Sequence, residues 1–303
     1  MENSLADNFP PPASTTNLTS GLIGKGQIKI ALAIGNSRLH WGLFAGETLE
    51  KTWDTEHLKA DAVSALCEEE KAEYLVQTVM GSIEEISAGN LLCRTATGAV
   101  SSPHTLSAVP LPLVLASVVP QQTAIWQSYP EARIITLDQL PIGGLYPTLG
   151  IDRALALLGA GNQLGWPVLL IDAGTALTFT GADVNRRLVG GAILPGLGLQ
   201  LSSLGQKTAA LPSVSLPDNL PHRWATDTAG AIQSGVVYAA VAGVRDFIED
   251  WRRLFPNSKI AVAGGDRTLL LQYLTAAFPD TASSVIDAPE AIFWGISLLT
   301  VDC

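Results

Sequence analysis

Three short groups of residues carry side chains and backbone freedom suited to phosphate chemistry. Gly35-Asn36-Ser37 lies between two apolar runs, Ile28 to Ile34 and Leu39 to Phe44. A glycine there allows close backbone approach to a ligand. The turn amides with the Asn36 and Ser37 side chains can hold a phosphate, or they can simply close a hairpin. Asp172-Ala173-Gly174-Thr175 ends a second apolar run, Val168 to Ile171. A carboxylate at such a strand end costs several kcal/mol if buried without a partner. A cation or a bound ligand explains it, with Gly174 leaving room and Thr175 donating to a phosphate oxygen; so does an aspartate that caps a turn. Gly150-Ile151-Asp152-Arg153 opens an Ala-rich helical stretch. Asp152 suits a helix N-terminus, but Arg153 opposes the same dipole. The pair fits a base for an alcohol proton beside a cation for an anionic substrate, and capping fits as well.

The first two groups resemble each other. Gly35 matches Gly174, Ser37 falls just beyond the counterpart of Thr175, and about half a chain separates them. Two copies of a strand, glycine turn and strand predict a duplicated α/β domain with a cleft between the copies. Strands are predicted at 114–119, 132–137, 188–194 and 259–263, and helices at 152–164, 228–251 and 289–299. The stretch 205–227, with Pro212, Pro217 and Pro221, reads as a surface excursion. Glycines in 190–198 and in Gly264-Gly265-Asp266 read as turns that end strands or start helices.

Composition sets outer limits. At 303 residues, 47% of them hydrophobic and 15% charged, the chain can bury a core and is long enough for one large or two medium domains. The formal charge of −10 argues against binding a nucleic-acid backbone, which needs clustered cations. Three separated cysteines, Cys67, Cys93 and Cys303, suggest neither a disulfide framework nor a zinc cluster, and point to a reducing, cytoplasmic compartment. The four histidines lack metal-ligand spacing and fit no nucleophilic triad. No run has the roughly 18 apolar residues of a membrane span. Residues 1–26 are polar, with Pro10-Pro11-Pro12, and read as a disordered extension rather than a secretory signal. Domain limits are expected at 27–165 and 166–303.

Seven motifs in order extend the three groups. They are Gly35-Asn36-Ser37, Gly150-x-Asp152-Arg153, Asp172-x-Gly174-Thr175-Ala176, Gly190-Gly191-x-Ile193-x-Pro195-Gly196, Thr208-Ala209-x-Leu211-Pro212, Asp227-Thr228-x-x-Ala231-Ile232-x-Ser234-Gly235 and Gly264-Gly265-Asp266. Together they resemble the type III pantothenate kinases over about residues 27–300, and the wording of the first hairpin, Ile34 to Trp41, is similar to the cyanobacterial branch.

The resemblance implies two ribonuclease H-like domains of the acetate kinase/sugar kinase/Hsp70/actin superfamily. It implies ATP-dependent phosphorylation of pantothenate, the first step of coenzyme A synthesis, with Mg²⁺ and a monovalent cation (K⁺ or NH₄⁺), in a homodimer. By residue it implies Asp152 as proton acceptor and Gly35, Asn36, Ser37 and Thr175 as ATP contacts. Tyr146, Gly150, Ile151 and Arg153 are implied to meet pantothenate, Asp172 to bind K⁺, and Thr228 to reach pantothenate across the dimer. Ala33 departs from the usual aspartate two residues before the first glycine, and Asp227 stands where asparagine is usual. The rival readings are a nucleotide-binding regulatory homologue, like the Bvg accessory factors, and a kinase of the same superfamily for another alcohol.

Overall fold

A computed structural model describes residues 28–66 and 112–299. The expected N-terminal extension, Cys67, Cys93, Cys303 and His104 lie outside the described residues. The chain divides into two compact units between Ile135 and Thr136, so the boundary expected at 165/166 falls within the second unit.

In the first unit, β1 (Ile28–Ile34), β2 (Leu39–Ala45) and β3 (Thr48–Thr55) form an antiparallel meander. Short helix α1 (Ala60–Leu66) follows. Strand β4 (Leu113–Ser117), helix α2 (Pro120–Trp126) and strand β5 (Ala132–Ile134) are the other described elements of the unit. The sheet order is β3-β2-β1-β4-β5, with β4 parallel to both β1 and β5. Strands β1 and β2 are almost wholly buried, which explains apolar runs without a clean alternation. Trp41 anchors this core, stacked on Trp53 at 6.0 Å and meeting the edge of Trp126 at 5.4 Å. A 3₁₀ turn, Leu137–Gln139, occupies the end of the predicted 132–137 strand, closed by a reciprocal capping box between Thr136 and Gln139.

The second unit repeats the plan. Helix α3 (Ile151–Leu164) precedes β6 (Val168–Ala173), β7 (Ala176–Ala182) and β8 (Leu188–Pro195). Next come α4 (Leu197–Lys207), α5 (Thr228–Leu254), β9 (Lys259–Ala263) and α6 (Arg267–Ala277). A single turn, α7 (Pro279–Ala282), strand β10 (Val285–Asp287) and α8 (Ala291–Leu298) finish it. The sheet order is β8-β7-β6-β9-β10, with β6, β7 and β8 antiparallel and β9 and β10 parallel additions. Strand for strand this is the order of the first sheet. The expected duplication is therefore present as topology.

Long helix α5 covers the second sheet with Val237, Val241, Val244 and Ile248 buried along one stripe at helical spacing. Its last turns bring Phe247 onto Phe179, with ring centroids 4.1 Å apart. The 205–227 stretch is held down by side chains of two helices. From α5, Gln233 donates to Ser215 O, Tyr238 to Pro221 O, and Ser234 to Arg223 O. From α6, Gln272 donates to the Asn219 side chain and Tyr273 to Pro217 O.

Tyr273 is fully buried, and burial together with the negative charges of Asp218 and Asp266 pushes its phenol up to about 12. The raised value means the fold favours the neutral phenol. That contribution is complete below the ordinary value of 10.0 and is lost as pH rises through about 12. Stability is therefore expected to fall over this alkaline window in the wild type and to fall less steeply in Tyr273→Phe. Denaturant midpoints measured from pH 9 upward check it; parallel curves for the two proteins would refute the coupling.

Candidate functional site

The first-unit candidate is the β1–β2 turn. Gly35 N–H donates to Arg38 O at 3.0 Å and closes it, leaving the Asn36 and Ser37 side chains exposed. His57, in the segment after β3, donates from Nε2 to Gly35 O at 2.8 Å. The turn is thus tied to a side chain 22 positions away. Across the hairpin, the His40 ring donates to Asp54 Oδ1 at 2.7 Å. Ala33 sits two residues before the turn glycine, 2% exposed and in register with His40 and Ala116.

The second-unit counterpart is the β6–β7 turn. Gly174 N–H donates to Ala176 O at 3.0 Å. Asp172 stands two residues before that glycine, the position Ala33 holds in the other copy, but it is a half-buried carboxylate. Two glycines from elsewhere press on this turn. Gly264 has φ +92°, and a Cβ on it would lie 2.4 Å from both Asp172 Oδ1 and Ala173 O, so only glycine fits. A Cβ at Gly196 would lie 2.0 Å from Gly174 O, and Gly196 N–H donates to Thr175 O at 2.9 Å. Asp266 N–H donates to Ala173 O at 2.8 Å. Burial pushes the Asp266 carboxyl above the usual carboxylate range. The Gly264-Gly265-Asp266 turn both ends β9 and starts α6, as expected, and it also backs the Asp172 strand end. The Thr175 side chain is exposed at the tip.

Helix α3 brings the third group. Gly150 takes an extended conformation at its N-cap, and Asp152 lies in the first turn, where a negative charge is favoured. Asp152 Oδ1 accepts the N–H of Arg153 at 2.7 Å, which orients the carboxylate. Arg153 is buried, 7% exposed, in spite of its charge. Its Nε donates to Thr180 Oγ1 at 3.0 Å and its Nη2 to Phe179 O at 2.9 Å, both on β7. The Ile151 side chain packs into the core, so what this residue can offer a substrate is its main-chain amide. Tyr146 is 42% exposed in the loop before α3, and its carbonyl accepts from Leu149 N–H.

Thr228 is the exposed first residue of α5, following the N-cap Asp227, whose Oδ1 accepts from Gly230 N–H at 2.8 Å. It lines a mostly apolar cavity of about 410 Å³ with Leu204, Leu211, Ile232 and Val236. Of the expected residues, the structure groups Asp172 and Thr175 on one strand end, and Asp152 and Arg153 on the helix bonded to the neighbouring strand. Sequence reasoning did not foresee that Thr180 anchors Arg153, that Gly191 packs closely against it, or that His57 ties down the Gly35 turn. Only Gly191 had a signal, since a glycine inside a strand marks close approach.

Comparison with known proteins adds an independent finding. The profile of the type III pantothenate kinase family matches residues 29–250. A type III pantothenate kinase from a Nostoc species is 53% identical over 272 residues, covering 89% of this chain and 93% of that protein. One from a Synechocystis species is 39% identical over 272 residues, covering 89% of each. Among solved structures, a conserved putative Baf family transcriptional activator from Campylobacter jejuni aligns with a TM-score of 0.51 at 17% identity. The alignment covers 89% of this chain and 96% of that one, a likeness of fold.

Proposed function

The chain belongs to the type III pantothenate kinase family, and from that premise we propose that it transfers the γ-phosphoryl group of ATP to the hydroxyl of pantothenate. The observation that carries the residue assignment is the Asp152–Arg153 pair. The helix backbone orients the carboxylate, and two neutral oxygens hold the guanidinium.

In this reading Asp152 accepts the proton of the attacking hydroxyl, worth roughly 10²–10⁴-fold in rate. Arg153 meets the substrate carboxylate. Gly150, the Ile151 amide and Tyr146 shape the pantothenate contact. Gly35, Asn36, Ser37 and Thr175 contact ATP through turns that are closed by their own backbone bonds. Phosphoryl transfer needs little covalent help from a protein, so positioning and charge neutralisation do most of the work. A divalent metal bound together with ATP would supply part of that neutralisation.

For a monovalent cation the fitting donors are hard oxygens. The Asp172 carboxylate and the Ala173 carbonyl, where Gly264 leaves the space a Cβ would fill, are such a pair. Asp172→Asn is expected to raise the K⁺ concentration for half-maximal activity about tenfold or more, by analogy with losses at metal-supporting residues. An unchanged K⁺ activation curve would assign Asp172 a purely structural role.

A homodimer in which Thr228 reaches the partner's substrate completes the reading; the exposed position of Thr228 beside an open apolar cavity supports it. A cytoplasmic site of action fits the sparse, separated cysteines. Among the described residues no helix is long and apolar enough to cross a membrane. The deciding assay incubates purified protein with ATP, Mg²⁺, K⁺ and pantothenate and looks for 4′-phosphopantothenate by mass spectrometry. Absence of product from folded protein would overturn the proposal.

A further inference from the structure

Arg153 poses a physical question that its role as an anion contact does not answer by itself. A long, flexible cation is buried at 7% exposure, which is costly unless its donors are satisfied. Its two bonds, from Nε to Thr180 Oγ1 and from Nη2 to Phe179 O, go to neutral oxygens. They fix the plane of the guanidinium without discharging it, so its positive charge stays available to an anion. A guanidinium has five N–H donors in a rigid fork, and anchoring one edge sets the direction of the others.

The path to this anchor depends on β8. Gly191 pairs with Thr180 across β7 and β8, and a Cβ at Gly191 would lie 2.6 Å from Arg153 Nη2 and 2.2 Å from Phe179 O. Gly191 has a negative or extended φ rather than a left-handed one, as it is absent from the positive-φ residues. Space for the Phe179 carbonyl and for the guanidinium bonded to it, rather than backbone conformation, is thus the reason for a glycine here.

We propose that Thr180 and Gly191 are positioning residues for substrate recognition. Thr180 holds the Arg153 guanidinium by its Nε edge, Gly191 clears the volume it occupies, and together they aim it at the carboxylate of the substrate. The inference rests on the pantothenate reading above and deepens it: selectivity for the acid form of the substrate resides partly in a β7 hydroxyl and a β8 glycine that need not touch the substrate.

The test compares pantothenate with its neutral analogue pantothenyl alcohol, which keeps the reacting hydroxyl and lacks the carboxylate. Thr180→Val keeps the shape of the side chain and removes the hydroxyl. It is expected to raise the pantothenate KM about tenfold, the scale of losing one hydrogen bond to a charged group. Its kcat should stay near that of the wild type, and activity on the alcohol should hardly change. Thr180→Ser should restore the preference for the acid. Gly191→Ala should act in the same direction as Thr180→Val, and Thr180→Ala carries the same test should the valine variant fold poorly. A merely structural role would lower both substrates together, and that outcome, or an unchanged acid-to-alcohol ratio in folded Thr180→Val, would overturn the inference while leaving the kinase reading intact. Wild-type protein inactive on pantothenate would overturn the proposed function and this inference with it.

Discussion

Asp152→Asn is expected to lower turnover by about 10²–10⁴-fold, the range of general-base assistance, while the protein stays folded. The substitution is unusually clean at this position. The bond that orients the carboxylate is the one Asp152 Oδ1 accepts from Arg153 N–H. An asparagine carbonyl can accept the same N–H, so the side chain should keep its place at the head of α3. What it loses is the ability to take a proton. The lost negative charge in the first helical turn costs roughly 0.3–1 kcal/mol, too little to unfold a protein of this size. Pantothenate KM should move only a few-fold, because Arg153 keeps its own anchors on β7. Steady-state kinetics with thermal melts separate the two effects. Turnover within threefold of wild type, in a folded variant, would remove Asp152 from the proton-transfer role and return it to helix capping.

Much of the fold was legible because its central strands are buried on both faces. Ile28 to Ile34 and Val168 to Ala173 read as apolar runs, and both are the middle of their sheets. The glycine turns that follow them betrayed the duplication, which the matching strand orders bear out. Helices α3 and α5 were legible from Ala content and apolar spacing, within three residues of their observed ends. Helix α4 was not. Its segment carries Gly198 and Gly205, and the neighbouring glycines read as turns. Burial of Leu197 and Leu201, at 3% and 2% exposure, outweighs the poor helix propensity of those glycines. Strand β3 escaped for a different reason. It lies at a sheet edge with only partial burial, so Thr48 to Thr55 shows no hydrophobic pattern to read.

Legibility of the site followed the same division between local and distant partners. Asp152, Asp172, Gly174 and Thr175 stood out because strand ends and helix starts are where such residues have a local physical meaning. The supports were hidden by distance along the chain. Thr180 is 27 residues from Arg153, and His57 is 22 from Gly35. Neither pairing leaves a periodic trace, and a threonine inside a β-strand is ordinary. Gly196 and Gly264 looked like punctuation, and they are, but the volume they leave open is also what lets the Asp172–Thr175 turn close against its neighbours.

The close crossing of α3 with α8 gives the largest expected effect on stability. Gly159 lies in α3, and a Cβ there would sit 2.0 Å from Ala291 O and 2.5 Å from Gly295 N. The reverse contact is as tight, with a Cβ on Gly295 falling 2.0 Å from Leu155 O. Both obstacles are backbone, so no rotamer change relieves them. Replacing a mid-helix glycine by alanine ordinarily gains roughly 1 kcal/mol of helix propensity. Overpacking a tight contact costs about 1–3 kcal/mol and occasionally more, and a main-chain clash at this distance belongs at the upper end. The balance predicts net destabilisation of Gly159→Ala by about 2 kcal/mol, or a fall in Tm of roughly 4–8 °C for a domain of this size. The same displacement would carry the first turn of α3, with Asp152 and Arg153, away from β7. Activity per folded molecule should therefore fall along with Tm. Thermal melts and kinetics below the melting range check both parts. An unchanged or raised Tm would show that propensity wins and that the two helices can separate freely, in which case the crossing does not set the position of Asp152.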